Sequence, residues 1–259
     1  NKTGFTPLHL AAQRGHSSVV EALCENDADI EAISKAGQTA LDLALDRYDL
    51  EVIDILLDFG AEPVVPEIGI HDAAASGDLL TVKLHVHADT NIEEQNEHGF
   101  TPVFEAIYYK QLPVVEYLVS MDVDLWVEDF AGRTALDWSM IMDAEEIEIL
   151  LNEHEAPSGV ETSFFAAIQT GNLEAVQIHL DEGVDVNEPA YTSKTPLHYA
   201  SHSKNPDIIN LLIEKGAEVD ATTDQDATPL SYAVVFGLLE QSNILLGNGA
   251  DPDFQDLDG

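Results

Sequence analysis

The side chains in this sequence best equipped to bind a metal or move a proton are its histidines and clustered carboxylates, and their spacing argues against both uses. His198 and His202 lie four residues apart, which puts two imidazoles on one helix face, but no Glu or Cys cluster completes a zinc set. His85, His87 and Asp89 alternate at the expected end of a helix and its following turn, where they read as solvated surface. Asp251, Asp253, Asp256 and Asp258 before Gly259 imitate a calcium loop without the glycine that such a loop needs at its sixth position. The single cysteine, Cys24, falls at an apolar helix position, where a buried thiol is inert. Gly-rich phosphate loops, paired cysteines and nucleophile elbows are all missing from the sequence. The expectation is a segment with no catalytic residue, no metal and no cofactor.

Charge and composition narrow the classes further. The 49 acidic residues against 10 basic ones give a formal charge of −39 over 259 residues, which repels phosphate backbones and anionic lipid. Nucleic-acid and membrane-surface binding are therefore disfavoured. Hydrophobic residues make up 45%, enough for a substantial core. One cysteine allows no internal disulfide, and no apolar stretch reaches the length of a membrane helix, so an intracellular setting, cytoplasmic rather than nuclear, is expected. The chain opens on Asn1-Lys2-Thr3-Gly4 without a targeting signal and reads as a fragment of a longer protein.

The elements that would position any site come from a repeat. Gly4-Phe5-Thr6-Pro7-Leu8-His9-Leu10-Ala11-Ala12 returns as Gly37-Gln38-Thr39-Ala40-Leu41-Asp42, as Gly99-Phe100-Thr101-Pro102, as Gly132-Arg133-Thr134-Ala135-Leu136-Asp137, as Thr195-Pro196-Leu197-His198 and as Thr228-Pro229-Leu230-Ser231. Two weaker copies, aligned through Ala73-Ala74 and Gly77 and through Ala166-Ala167 and Gly171, put the threonine position at Ile68 and Thr162. Thr caps a first helix whose opening turn tolerates Pro, and a glycine (Gly15, Gly77, Gly171 or Gly237) closes it. A second helix follows with apolar residues at helical spacing, as in Val52, Ile53, Leu56 and Leu57. Eight units result, near 1–33, 34–62, 63–95, 96–128, 129–156, 157–189, 190–222 and 223–255, with a ninth opening at 256–259. The threonine positions step by 33, 29, 33, 33, 28, 33 and 33, so the segments after the second and fifth units are short.

These motifs resemble the ankyrin repeat over essentially the whole chain. The resemblance implies an all-α solenoid in one array, with short β-hairpin fingers, two of them clipped where the steps shorten. It implies that His9, His71 and His198 hydrogen-bond neighbouring backbone. It also implies a monomeric, non-catalytic scaffold that binds another protein or an extended peptide along a concave face lined by fingers and first-helix ends. An alternative is the targeting or regulatory arm of a larger enzyme or channel.

With Thr numbered six in each unit, the family's recognition positions are two, three, five, thirteen and fourteen. Six of the ten basic residues fall there: Lys2, Arg14, Lys35, Arg47, Arg133 and Lys194. They suggest a clamp for carboxylates. Phe100, Tyr108, Tyr109, Phe130, Ile141 and Met142 occupy such positions in the fourth and fifth units, with Trp126 in the connecting turn, and suggest an exposed pocket for a partner's anchor residue. Glu97, Glu128 and Asp129 surround that cluster, which makes a cage for a methylated lysine imaginable.

Overall fold

The computed structural model describes residues 3–190 and 193–255; Lys2 and the expected ninth repeat at 256–259, with Asp256 and Asp258, lie outside them. The chain divides into two compact units, Asn1–Ile92 and Glu93–Gly259.

The first unit holds α1 (Pro7–Arg14), α2 (Ser17–Glu25), α3 (Ala40–Leu45), α4 (Leu50–Asp58), α5 (Ile70–Ser76) and α6 (Leu79–His87). The second holds α7 (Pro102–Tyr108), α8 (Leu112–Ser120), α9 (Ala135–Ile141), α10 (Glu145–Glu153), α11 (Phe164–Thr170), α12 (Leu173–Asp181), α13 (Pro196–Ala200), α14 (Asp207–Glu214), α15 (Pro229–Val235) and α16 (Leu239–Gly247). Odd helices stack on odd ones and even on even, as α1 does on α3 and α2 on α4, and in the second unit α7 on α9, α11 on α13 and α14 on α16. That is the layering of an all-α repeat solenoid. Isolated helices of five to nine residues are unstable in water, so each pair depends on its neighbours to cover its apolar face. Leu8, Val20, Ile53 and Leu56 form the core of the first unit, and Ile168, Leu197, Ile208 and Leu212 that of the second.

Local chemistry explains the helix starts. Thr6 accepts from the His9 backbone N–H, and the His9 ring accepts the Thr6 N–H in return at 3.2 Å. The other ring nitrogen of His9 reaches the Gln38 carbonyl in the next unit at 2.9 Å, and His198 repeats the arrangement with Thr195 and the Ala227 carbonyl at 3.0 Å. In the second and fifth repeats Asp42 and Asp137 replace the histidine in the cap. Asp137 is fully buried and also accepts from the Gly159 N–H at 2.8 Å and the Ser158 hydroxyl at 2.6 Å. At Asp137 the next segment is short and offers an N–H, and the linking side chain is an acceptor. At His9 and His198 it offers a carbonyl, and the side chain is histidine.

Three expectations need correction. The fingers contain no strand among the described residues; they are turns closed by two backbone bonds, such as Asn96 N–H to Phe100 O and Gly99 N–H to Asn96 O, both 2.9 Å, or Asp129 N–H to Arg133 O and Gly132 N–H to Asp129 O, both 2.9 Å. The side-chain oxygen of the first finger residue bonds the inner amides and so takes the place of a second ladder bond. In the third and sixth repeats the caps are Gly69 and Ser163, one residue later than the Ile68 and Thr162 positions. His85 is buried, with its ring 2.7 Å from the Ile68 carbonyl and 3.1 Å from the Thr90 hydroxyl. His179 does the same for the Val160 carbonyl at 3.1 Å, so in the third and sixth repeats a second-helix histidine ties down the chain before the first helix.

Candidate partner-binding groove

The second unit carries a half-open groove of about 1050 Å³ running from the α7 unit to the α15 unit. Its walls follow a register. Position ten of the first helices supplies Glu105, Trp138 and Tyr199, position thirteen supplies Tyr108, Ile141, Gln169 and His202, and position fourteen supplies Tyr109, Met142 and Phe236. Residues three and four apart share a helix face, so stacked first helices line up these positions as one continuous wall. Phe130 and Arg133 come from the finger before α9.

Beneath the groove lies an ionic chain that links Asp129, Arg133, Gln169 and His202. Asp129, with a fully buried side chain, accepts from the Ala131 and Arg133 amides at 2.9 and 3.1 Å, from the Arg133 guanidinium at 2.7 and 2.5 Å, and from the Trp138 indole at 3.0 Å. The guanidinium lies 4.3 Å from the centre of the Trp138 ring and donates its remaining branch to the Gln169 side-chain oxygen. The Gln169 amide then reaches His202 at 3.2 Å, while the other ring nitrogen of His202 faces the His198 carbonyl at 2.9 Å. A carbonyl only accepts, so that nitrogen carries the proton and the nitrogen facing Gln169 is an acceptor. The chain is complete only with a neutral imidazole. Burial pushes His202 down to about 4, helped by the charges of Lys194 and Arg133 and opposed by the bond to His198. Burial likewise lowers His198 and raises Tyr199.

Above that layer the rings stack without closing. Phe100 packs at 5.0 Å on Trp138 and Tyr108 at 5.6 Å, edge to face, and Tyr109 caps Tyr108 at 5.1 Å. Tyr108, Tyr109 and Phe130 remain 39%, 54% and 51% exposed. Gly99 makes room for this packing: its φ is +78°, and a Cβ there would sit 2.9 Å from the Phe130 nitrogen.

Nine of the residues singled out from sequence therefore meet in one place: Glu97, Phe100, Tyr108, Tyr109, Phe130, Arg133, Ile141, Met142 and Lys194. Two of them differ in character from expectation. Phe100 is buried and supports the wall instead of offering an exposed ring. Arg133 is committed to Asp129 and Gln169, so it is a structural cation, and Asp129 is its partner instead of a free rim carboxylate. Trp126 is 74% exposed but sits in its turn away from the groove lining. Arg14, Lys35 and Arg47 belong to the first unit, all exposed, with Arg47 3.9 Å from Asp49. Sequence reasoning missed Trp138, Gln169 and Tyr199 and weighed His202 only as a metal ligand, although Gln169 and His202 stand at position thirteen and carried the same signal as Tyr108. No group of three or more metal-ligating side chains occurs among the described residues. No helix among them is long and apolar enough to cross a membrane. Cys24 is buried and its thiol is shifted upward by that burial.

Helix pairs stacked in two layers beside an open, ring-lined groove define a helical repeat protein of the kind that offers a surface to another macromolecule. The family model for ankyrin repeats, three copies to a match, fits residues 1–66, 70–162 and 163–256, and the chain belongs to that family. Its repeats generally mediate protein–protein interaction and its members are generally non-catalytic. The chain is 27% identical over 209 residues to human SH3 and multiple ankyrin repeat domains protein 2, covering 74% of this chain and 11% of that protein. It is 30% identical over 112 residues to the probable 26S proteasome regulatory subunit p28 of Saccharomyces cerevisiae, covering 40% and 49%. It is 27% identical over 148 residues to the potassium channel AKT2/3 of Arabidopsis thaliana, covering 56% and 18%. The chain thus spans from about a tenth to about half the length of these relatives.

Proposed function

We infer that this chain is a scaffold or adaptor segment that binds another protein, or an extended peptide, through the groove of its second unit. The observation that carries this reading is the set of exposed rings, Tyr108, Tyr109 and Phe130, at the mouth of the groove over a hydrogen-bonded base. Rigid aromatic side chains standing over an immobile floor lose little entropy on contact, and such residues dominate binding hot spots. The groove of about 1050 Å³ has room for several partner side chains. Tyr108, Tyr109, Phe130, Ile141 and Met142 act as the apolar anchors. In the first unit Arg14, Lys35 and Arg47 form a subsidiary surface for partner carboxylates, weak because all three are solvated.

The chain acts as a monomer in an intracellular, cytoplasmic setting. Catalysis in the protein that contains it lies elsewhere. A second reading, the targeting or regulatory arm of a larger enzyme or channel, draws support from the 18% share of a potassium channel that the chain matches, and it uses the same groove. Hydrogen–deuterium exchange on the chain bound to a peptide selected against it tests the site. Protection concentrated in α7, α9 and the turn at 129–133 is the expected result; protection confined to the first unit would overturn it.

A further inference from the structure

We propose that the groove of the second unit takes a polypeptide segment in which cationic side chains flank an apolar anchor, the cations meeting Glu97 and Glu105. This deepens the groove reading above and depends on it. The chemistry follows from how the charges of the groove are spent. Of the two cations in its lining, Arg133 is neutralised by the buried carboxylate of Asp129. A partner carboxylate aimed at Arg133 would have to displace Asp129, whose side chain is fully buried and holds three further donors. Stripping a buried carboxylate of its partners is strongly unfavourable. The other cation, Lys194, lies 5.0 Å over the Tyr232 ring, at the far end of the groove from the α7 unit.

The carboxylates at the α7 end are spent differently. The side chain of Glu97 is 86% exposed, with the His98 ring 3.8 Å from one of its oxygens. Glu105 is held at position ten by a 2.7 Å bond from the Asn96 amide to one oxygen, so the amide orients the carboxylate without neutralising it. The exposed rings of Tyr108 and Tyr109 follow on the same helix face and at its end. An apolar slot beside two unneutralised carboxylates fits an aromatic or aliphatic residue next to Lys or Arg. The field of the unit acts in the same sense. Residues 93–259 contain 33 Asp and Glu against 5 Lys and Arg, a formal charge of −28, which attracts basic segments and repels acidic ones before contact.

Long-range attraction alone would make any basic peptide stick, so the experiment separates it from recognition. Random twelve-residue peptides displayed on phage are panned against the whole chain at 150 mM salt, and the enriched sequences are measured by fluorescence polarisation. They are measured against the native chain, the double variant Glu97→Gln/Glu105→Gln, the charge-matched double variant Glu146→Gln/Glu148→Gln on α10, and Tyr109→Ala/Phe130→Ala. The expected result is enrichment of Lys or Arg beside an aliphatic or aromatic residue, with binding weakened at least about fivefold by the groove pair and less than about twofold by the α10 pair. Equal weakening by both charge pairs would reduce the effect to bulk attraction and overturn the inference. Enrichment of neutral or acidic peptides that Tyr109→Ala/Phe130→Ala abolishes would overturn it while leaving the groove reading intact. Peptides indifferent to the Tyr109 and Phe130 substitutions, or no enriched peptide at all, would overturn both. Thermal melts of each variant alongside the native chain ensure that lost binding is not lost folding.

Discussion

In the first unit, Arg14, Lys35 and Arg47 stand on open surface, and the one near a carboxylate, Arg47, keeps half its side chain in water 3.9 Å from Asp49. In the second unit, Arg133 is sunk to 11% exposure, stacked on Trp138, and held by a carboxylate that itself has no contact with solvent. Recognition-type positions thus carry cations in both units, but only where rings and a buried acid surround the cation does it become part of a rigid floor. A solvated ion pair contributes about 0–1 kcal/mol, whereas removing one member of a buried pair costs about 3–5 kcal/mol. The surface in the first unit is therefore free to change with little consequence, and the groove in the second is expected to fail as a piece.

The largest effect that would sharpen this contrast is expected from Asp129→Ala. It strands the Arg133 charge and leaves the Trp138 indole N–H without its acceptor, so a loss of about 3–5 kcal/mol is expected in urea unfolding. Both tryptophans, Trp126 and Trp138, lie in the second unit, so their fluorescence reports its unfolding alone. A change under about 1 kcal/mol would break the comparison. Gly159→Ala comes next. Its Cβ would lie 2.4 Å from the Gly132 carbonyl oxygen and 2.8 Å from an Asp137 carboxylate oxygen, so a cost of about 1–3 kcal/mol by overpacking is expected.

Helix caps give a finer test within the second unit. Thr134→Val removes a hydroxyl that caps α9 and bonds the Pro157 carbonyl, and should cost about 1 kcal/mol. Thr101→Val should be neutral or slightly stabilising, because the Thr101 hydroxyl is buried without a hydrogen-bond partner. Phe104 occupies the place where the histidine or aspartate of other units completes the cap, and its ring is in the core instead. Acid probes the base of the groove. Unfolded His202 binds a proton near 6.5 and the folded group only near 4, so between these values the unfolded chain carries more protons. The contribution of neutral His202 is complete above pH 6.5 and is lost as the pH falls through about 4. His202→Phe, which cannot titrate, should flatten that part of the stability curve. The smallest effect is expected for Arg14→Ala/Arg47→Ala, under about 0.5 kcal/mol in thermal unfolding of the whole chain.

The repeat fold was legible in sequence because its punctuation is local. Thr6, Pro7 and Gly15 act within one turn of themselves, and the same chemistry recurs along the chain. Ser163 and Gly69 were misplaced by a residue because alignment through Ala and Gly fixes the middle of a helix and leaves its start free. The groove was half legible. Tyr108 and Tyr109 announce themselves by type at positions thirteen and fourteen, whereas Gln169 and His202 share the register but look like ordinary polar residues until the neighbouring units bring Arg133 to them. His85 shows the same limit. Nothing in its immediate sequence reveals that the Ile68 carbonyl, 17 residues earlier, folds back onto its ring.

The claim on which the rest depends is that partner binding runs through the exposed rings over the Asp129–Arg133 floor. It is tested most directly by the dissociation constant of a selected peptide for native chain and for Tyr109→Ala/Phe130→Ala, measured by isothermal titration. Removing two anchors of about 1–2 kcal/mol each predicts a loss of roughly thirtyfold or more with the melting temperature nearly unchanged. Equal affinity for the two proteins would contradict it.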